Sequence, residues 1–200
     1  GIKALLPLHN EELHVFAKPP ISKKNLFGKV TVTGITKFTD LKGKKIAAWG
    51  GSVITAKVVS SKLNLPYGIM AVKDRDAAFA ALNSGQVSAV LAVVGQPATW
   101  VKEMSGSNFS LVPIENNPSF SGIYTPAKLL YPNLSVQSVP TIAVQSVLAT
   151  RDFKTADRKD LVLQYQKCAI SKLVNLQENE GMHPKWQEVT FKTWPWPQYK

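Results

Sequence analysis

Residues 46–59, IAAWGGSVITAKVV, are the stretch that decides the fold. A short apolar run ends at Trp49, two glycines follow at Gly50 and Gly51, and apolar residues return at helical spacing after Ser52. This order of strand, glycine turn and helix is typical of α/β proteins. The first amides of a helix lack intrahelical partners, and Ser52 could cap the helix or donate its hydroxyl to a carboxylate. The turn is therefore a candidate anion site, although a tight βα turn with a capping serine and no ligand has the same pattern.

The same alternation continues on both sides of this stretch. Strands are predicted at 45–49, 68–73, 87–95 and 109–114, and helices at 52–63, 74–84 and 97–104. The nearly continuous apolar run at 87–95 is typical of a strand buried on both faces of a parallel sheet. We therefore predict the α/β class, with a mostly parallel sheet flanked by helices.

The segments before and after the α/β segment differ from it in composition. Before the α/β segment, we predict a strand at Leu13–Ala17 and a small hairpin in the lysine-rich residues 21–34. After Glu115, the turn formers up to residue 134 indicate a connection, followed by a strand within 140–151 and a long helix at 156–179. The proline- and tryptophan-rich tail, 181–200, is predicted to pack as an irregular strap. The single cysteine, Cys168, falls on the apolar side of the long helix and is predicted to be a core residue.

Charge and composition exclude several partners. The chain has 200 residues, 44% of them apolar, and a net charge of +11. Its 21 lysines come singly or in pairs, and the three arginines are isolated, so the clustered basic pattern of nucleic-acid interfaces is missing. We expect a solvated basic surface and no nucleic-acid partner. No apolar run approaches the roughly 20 residues that a membrane-spanning helix needs.

Signatures of catalysis are also missing from the sequence. It contains no GxSxG, HExxH, GxxxxGK[ST] or GxGxxG motif. The histidines His9, His14 and His183 lack metal-ligand spacing, so structural roles are expected for them. Glu11 and Glu12 are adjacent on a strand and point to opposite faces, so they cannot act as a catalytic pair. We therefore expect no enzyme activity, no cofactor and no metal.

A second glycine turn lies at Gly95, Gln96 and Pro97, where another buried strand gives way to a predicted helix. Ligands of open parallel sheets sit beyond the carboxyl ends of the strands, so both turns could face the same ligand. The ligand-binding residues we predict share a position at these turns or on the connection that follows: Trp49, Gly50, Gly51, Ser52, Gly95, Gln96, Pro97 and Tyr124. Trp49 could stack on the ligand or pack in the core.

Four motifs in sequence order extend this interpretation to a family: FTDLKGKKIAAWGGS, AALNSGQVSAVLAVVGQPATWV, VPTIAVQSVLATR and GMHPKWQEV. Their order resembles the TAXI family, the extracytoplasmic solute-binding subunits of TRAP transporters, which are related to type II periplasmic binding proteins. The opening LLPLHNEELHVFAK is similar to the family's strand into its second lobe. The sequence departs from the family pattern at Ser88, where an aspartate is usual, and in the long lysine-rich segment 21–34.

The resemblance implies a type II periplasmic-binding-protein-like fold with one complete lobe and part of another. Residues 1–34 would be the crossing strand and part of lobe 1, residues 35–116 lobe 2, and residues 117–200 the return segment and the C-terminal part of lobe 1. Most of a first lobe would then be supplied by a missing segment or by a separate chain.

The function implied is that of a periplasmic or otherwise extracytoplasmic receptor. It would capture a small organic anion, an amino acid or a dicarboxylate, between two lobes and deliver it to membrane permease subunits. A ligand-sensing effector or protein-docking module on the same fold is the alternative, and an enzyme on this fold is a third possibility that the missing acid–base residues disfavour.

Overall fold

The structure, a computed structural model, describes residues 1–192 and 199. The predicted irregular tail therefore lies partly outside the described residues. The chain divides into two compact units, one of residues 1–11 with 145–200 and one of residues 12–144.

Residues 1–192 contain nine strands and five α-helices. The strands are β1 (Ile2–Ala17), β2 (Ile21–Lys24), β3 (Val30–Thr33), β4 (Lys45–Trp49), β5 (Gly68–Val72), β6 (Ala89–Val94), β7 (Ser110–Leu111), β8 (Thr125–Leu129) and β9 (Val139–Arg151). The helices are α1 (Ser52–Lys62), α2 (Arg75–Asn83), α3 (Thr99–Lys102), α4 (Ala156–Ser171) and α5 (Leu173–Glu178).

The main sheet has the strand order β5-β4-β6-β1-β9-β8, and β7 pairs with β1. β4 lies between β5 and β6 and is parallel to both, whereas β1 runs antiparallel to β6 and to β7. The four strands of the predicted α/β segment, β4 to β7, therefore run in the same direction. The α/β class is confirmed, and the carboxyl ends of β4 and β6 lie side by side.

The core of unit 12–144 has two clusters that follow the period-two alternation of the strands. Ile46, Ala89 and Leu91 belong to the cluster that includes Ala56 and Val59 of α1. Their neighbours Ala47, Val90 and Ala92 belong to the other cluster, which includes residues of α2 and α3. Helices therefore cover both faces of the parallel strands, as the continuous apolar run at 87–95 predicts.

Capping fixes the direction in which α2 leaves the sheet. The Asp74 carboxylate accepts a hydrogen bond of 2.9 Å from the Ala77 N–H, so Asp74 is the N-cap of α2. The C-terminal end of α3 is bound by Asn133, whose Nδ2 donates to the carbonyls of Val101 and Met104.

The unit of residues 1–11 and 145–200 has a smaller core. Leu5 and Leu6 of β1 pack with Leu148 of β9 and with Val162 and Leu163 of α4. An apolar cleft of about 290 Å³ lies in this unit, and none of the predicted ligand-binding residues lines it.

Several predicted features differ from the structure. The strand predicted at Leu13–Ala17 is the longer β1, the strand predicted at 109–114 is the two-residue β7, and the helix predicted at 97–104 is the four-residue α3. Cys168 is exposed, so its assignment to the core is wrong. Leu161 and Tyr165, which share a side of α4 with Cys168 by helical spacing, are also mostly exposed, because α4 packs through Val162, Leu163 and Ala169 instead. The predicted single helix at 156–179 is two helices that meet at Lys172. A further difference is β8, a strand inside the predicted connection 115–134.

Candidate functional site

The first glycine turn joins the carboxyl end of β4 to the start of α1. Gly50 has a φ of +51°, a left-handed value that favours glycine, and Gly51 is right-handed with φ −61° and ψ −25°. Consecutive residues of opposite hand turn their N–H groups toward a common side, as in backbone concavities that bind anions. An added Cβ at either glycine would meet no atom within 4 Å, so no neighbouring group packs against the Cβ side of these two residues.

The amides of this turn are the available donors of the site. The N–H groups of Val53 and Ile54 donate to the carbonyls of Gly50 and Gly51. The N–H groups of Gly51 and Ser52 have no acceptor within the part of the chain that the structure describes. Two adjacent amides at the positive end of an eleven-residue helix can therefore bind a carboxylate or another anion.

Ser52 connects the turn to the neighbouring strand. It is the first residue of α1 rather than its N-cap, and no side chain caps this helix. Its Oγ accepts a hydrogen bond of 3.0 Å from the Val93 N–H of β6, and the residue is 6% exposed. A hydroxyl that accepts one hydrogen bond still has its own proton to donate. Ser52 thus fixes the position of the turn beside the end of β6.

The second turn, Gly95 to Pro97, follows β6 and lies at the same edge of the sheet. The Gln96 N–H donates to Oε2 of the buried Glu12 at 2.9 Å. The Gln96 side chain donates through Nε2 to the Lys128 carbonyl at 2.6 Å and accepts from the Leu130 N–H at 3.0 Å. The Gln96 N–H is therefore bonded to the Glu12 carboxylate, and the Gln96 side chain is bonded to the backbone of Lys128 and Leu130.

The first amide after Pro97 also has a hydrogen-bond partner within the chain. The Ala98 N–H donates to the hydroxyl of Tyr131 at 2.9 Å, and this hydroxyl also lies 3.1 Å from Nε2 of the buried His14. Burial raises the pKa of Tyr131 above its usual value, so the group stays a neutral phenol. The helix itself, α3, has only four residues. The structure brings the two turns together at one edge, and in the second turn the amides of Gln96 and Ala98 are already bonded within the chain.

Tyr124 is buried, 7% exposed, and packs edge-on against Phe120 with ring centroids 5.6 Å apart. Burial raises its pKa, and a hydrogen bond with the side chain of Thr55 opposes this rise. Because Thr55 lies in the first turn of α1, Tyr124 lies near the glycine turn, but its ring belongs to the core.

Trp49 is half-buried at the end of β4 and belongs to a small aromatic group. Its ring lies edge-on to Trp100, with centroids 6.5 Å apart. The guanidinium carbon of Arg75, at the start of α2, is 5.7 Å from the Trp100 centroid. The Arg75 guanidinium therefore lies over the ring of Trp100, which in turn contacts Trp49 at the end of β4.

Sequence reasoning missed Glu12, Tyr131 and Arg75. Glu12 and Tyr131 are far from the second turn along the chain, and no local pattern indicates that they satisfy its amides. Arg75 carries a usable signal, because it follows β5 directly and the carboxyl ends of parallel strands lie at one edge.

Two findings bear on metal ions and membranes. Among the described residues, no three histidine, cysteine, aspartate or glutamate side chains come close enough to hold a metal ion. No helix within these residues has the length and apolar character needed to cross a membrane.

Comparison by sequence finds no matching protein family and no matching curated protein. Solved structures that the chain resembles include a cysteine-binding protein from Campylobacter jejuni. That structure has 17% identity and a TM-score of 0.48, and the match covers 94% of this chain and 56% of that one. A periplasmic binding protein of an arginine transport system from Legionella pneumophila has 15% identity and a TM-score of 0.46, covering 94% of this chain and 65% of that one. The substrate binding protein of an amino acid ABC transporter has 16% identity and a TM-score of 0.45, covering 90% and 61%. The chain spans about three-fifths of the length of these structures.

Proposed function

We propose that the chain is part of an extracytoplasmic solute receptor that binds a small carboxylate and delivers it to a membrane transporter. The observation that supports this proposal most directly is the open turn at Gly50 and Gly51. It presents two amides without acceptors in the described residues, and Ser52 holds it against β6. The proposal assigns binding and release to the chain, and no chemical conversion.

We propose that the ligand is bound mainly at the first glycine turn. Gly50, Gly51 and Ser52 bind the carboxylate, and Trp49 flanks it. Gly95, Gln96, Pro97 and Tyr124 support the edge rather than donate to the ligand, since the polar groups of Gln96 have partners of their own and Tyr124 is buried. Arg75, which is ion-paired with Asp76, lies against Trp100 beside Trp49.

The position of Glu12 favours a monocarboxylate such as an amino acid over a dicarboxylate. Its carboxylate lies at the second turn, 2.9 Å from the Gln96 N–H. A second carboxylate of a ligand directed toward this turn would meet a like charge, whereas an ammonium group would meet an opposite one. The charge of Glu12 thus favours a ligand with an ammonium group over a ligand with a second carboxylate.

The binding free energy available at this turn is too small for micromolar affinity, so a second surface is required over it. Two charge-assisted hydrogen bonds contribute about 3–6 kcal/mol and the helix N-terminus about 0.3–2 kcal/mol. Micromolar affinity requires about 8 kcal/mol at the standard state. We therefore propose a two-lobed receptor in which an opposing lobe closes over the ligand, with residues 35–116 as lobe 2. Membership of the TAXI family, with TRAP permease subunits as the partner, is part of this proposal.

Isothermal titration tests the function directly. The chain, together with the segment or separate chain that supplies the opposing lobe, is titrated with the amino acids cysteine, arginine and glutamine and with succinate, and each mixture is then analysed by NMR for product. The proposal expects saturable binding of at least one amino acid, weaker binding of succinate and unchanged ligand after incubation. Turnover of a ligand would contradict the receptor function, and succinate binding as tight as that of any amino acid would contradict the role given to Glu12.

A further inference from the structure

The hairpin of β2 and β3 ends in two exposed apolar side chains. Leu26 is fully exposed and Phe27 is 93% exposed, and Ile21, Val30 and Val32 in the strands are each more than half exposed. Leu26 and Phe27 are adjacent at the tip, and Val30 and Val32 share one face of the ribbon behind them, whereas Ile21 lies on the other face. Single exposed apolar residues are common on protein surfaces, but exposed apolar side chains grouped in this way and rimmed by polar residues are typical of an interaction site. None of these residues belongs to the ligand site described above.

The hairpin tip is held in one conformation by its own hydrogen bonds. Oδ1 of Asn25 accepts from the N–H groups of Phe27 and Lys29, at 3.0 and 2.9 Å. The Gly28 N–H donates to the Asn25 carbonyl, and Gly28 has a φ of +79°. A three-residue loop with a left-handed glycine in its last position is a standard hairpin connection. Leu26 and Phe27 are therefore presented outward by an ordered loop.

The charge around the tip has one sign. Lys23, Lys24 and Lys29 lie within three residues of Leu26 or Phe27, and residues 13–39 contain five lysines and no aspartate or glutamate. The cross-strand pairs Lys23↔Thr31 and Lys24↔Val30 place the two strand lysines on opposite faces of the ribbon. Positive charge therefore surrounds the apolar tip on both sides.

We propose that the hairpin Ile21–Thr33 binds an anionic membrane surface with its tip inserted among the lipids. At about 3.3 Å per residue, Lys23 and Lys24 lie roughly 7–10 Å behind the tip. This matches the roughly 5–10 Å to which interfacial segments insert, so the lysines reach the phosphates when the apolar pair reaches the acyl chains. A fluid lipid surface surrounds the tip from every side, which suits a ribbon whose two faces are both exposed.

Co-sedimentation of the full chain with lipid vesicles tests this proposal. One set of vesicles is phosphatidylcholine alone, and the other contains 30 mol% phosphatidylglycerol. We expect binding to the anionic vesicles, a loss of about tenfold or more in the double variant Leu26→Ser/Phe27→Ser, and a loss of about fivefold for each of Lys23, Lys24 and Lys29 changed to Gln.

Matched controls separate the hairpin from the general basic surface. The triple variant Lys62→Gln/Lys167→Gln/Lys172→Gln removes three exposed lysines elsewhere, and the double variant Val136→Ser/Val174→Ser removes exposed apolar side chains elsewhere. Both controls are expected to bind within about twofold of the unchanged chain. The substitutions in the hairpin are at exposed positions, so the thermal midpoint should stay the same in all variants.

Insertion of the tip into the lipid is measured separately, by fluorescence. Leu26→Cys in a Cys168→Ser background carries an environment-sensitive dye, and its emission should shift to the blue on anionic vesicles only. Equal loss of binding in the control variants, binding that survives Leu26→Ser/Phe27→Ser, or no binding to either vesicle would overturn the proposal. In those cases a protein partner becomes the occupant to seek.

Discussion

Substituting Gly51 by valine separates binding at the first turn from stability of the fold. Gly51 already has right-handed helical angles, φ −61° and ψ −25°, and an added Cβ meets nothing within 4 Å. A non-glycine residue there gains about 0.4–1 kcal/mol through the unfolded chain, and valine loses a similar amount at a helix start. The free energy of unfolding should therefore change by less than about 1 kcal/mol.

Ligand binding should respond very differently to Gly51→Val. The valine side chain adds bulk to the turn that carries the amides of Gly51 and Ser52, and we expect this bulk to hinder the approach of a carboxylate. Losing two charge-assisted hydrogen bonds costs about 3 kcal/mol or more, which lowers the affinity by at least about 100-fold. Isothermal titration gives the affinity, and urea unfolding gives the stability of the same preparation.

Gly68→Val is the matched control for this experiment. Gly68 begins β5, at the amino end of the parallel strands, and its added Cβ would make ordinary contacts of 3.6 Å or more. The control should bind as tightly as the unchanged chain. If Gly51→Val binds equally tightly, the turn is not part of the ligand site and the reasoning from its open amides is wrong.

Three further predictions concern stability and are all measured by urea unfolding. Ser52→Ala should lower the free energy of unfolding by about 1–3 kcal/mol, because the Val93 N–H loses its acceptor; an unchanged value would mean that another group replaces the hydroxyl. Tyr131→Phe should cost at least about 2 kcal/mol, because the Ala98 N–H loses its partner in a buried site, whereas a cost below 0.5 kcal/mol would contradict this role. Burial raises the pKa of Tyr67 above its usual value of 10, so above pH 10 the unfolded chain releases this proton first. Stability should therefore fall as the pH rises above 10, and Tyr67→Phe should make that fall less steep; an equal fall would assign it to other groups.

Much of the α/β segment can be predicted from the sequence because its signals are local. The glycine pair after Trp49, the cap at Asp74 and the continuous apolar run before Gly95 each determine an element without help from distant residues. The structure accordingly has β4 at the predicted residues and α1 within one residue of its predicted end. The hairpin at 21–34 is predicted for the same reason.

The remaining features depend on contacts between distant residues. Cys168 lies on an apolar stripe of α4, but the periodicity alone cannot indicate which side of a helix finds a partner. β8 begins with Thr125 and Pro126, a weak strand sequence, and forms through its pairing with β9. Glu12 and Tyr131 reach the second turn across 84 and 33 positions of the chain, so the closure of that turn is a property of the tertiary structure.

The contacts of Gln96 restrict what the second turn can become. Its carboxamide has an NH2 donor and an oxygen acceptor in the same plane, and it uses both on the backbone of β8 and the residue after it, as a peptide group of a neighbouring strand would. Glutamate has no donor for the Lys128 carbonyl, and lysine has no acceptor for the Leu130 N–H. Either substitution at position 96 should therefore loosen the contact between the second turn and β8.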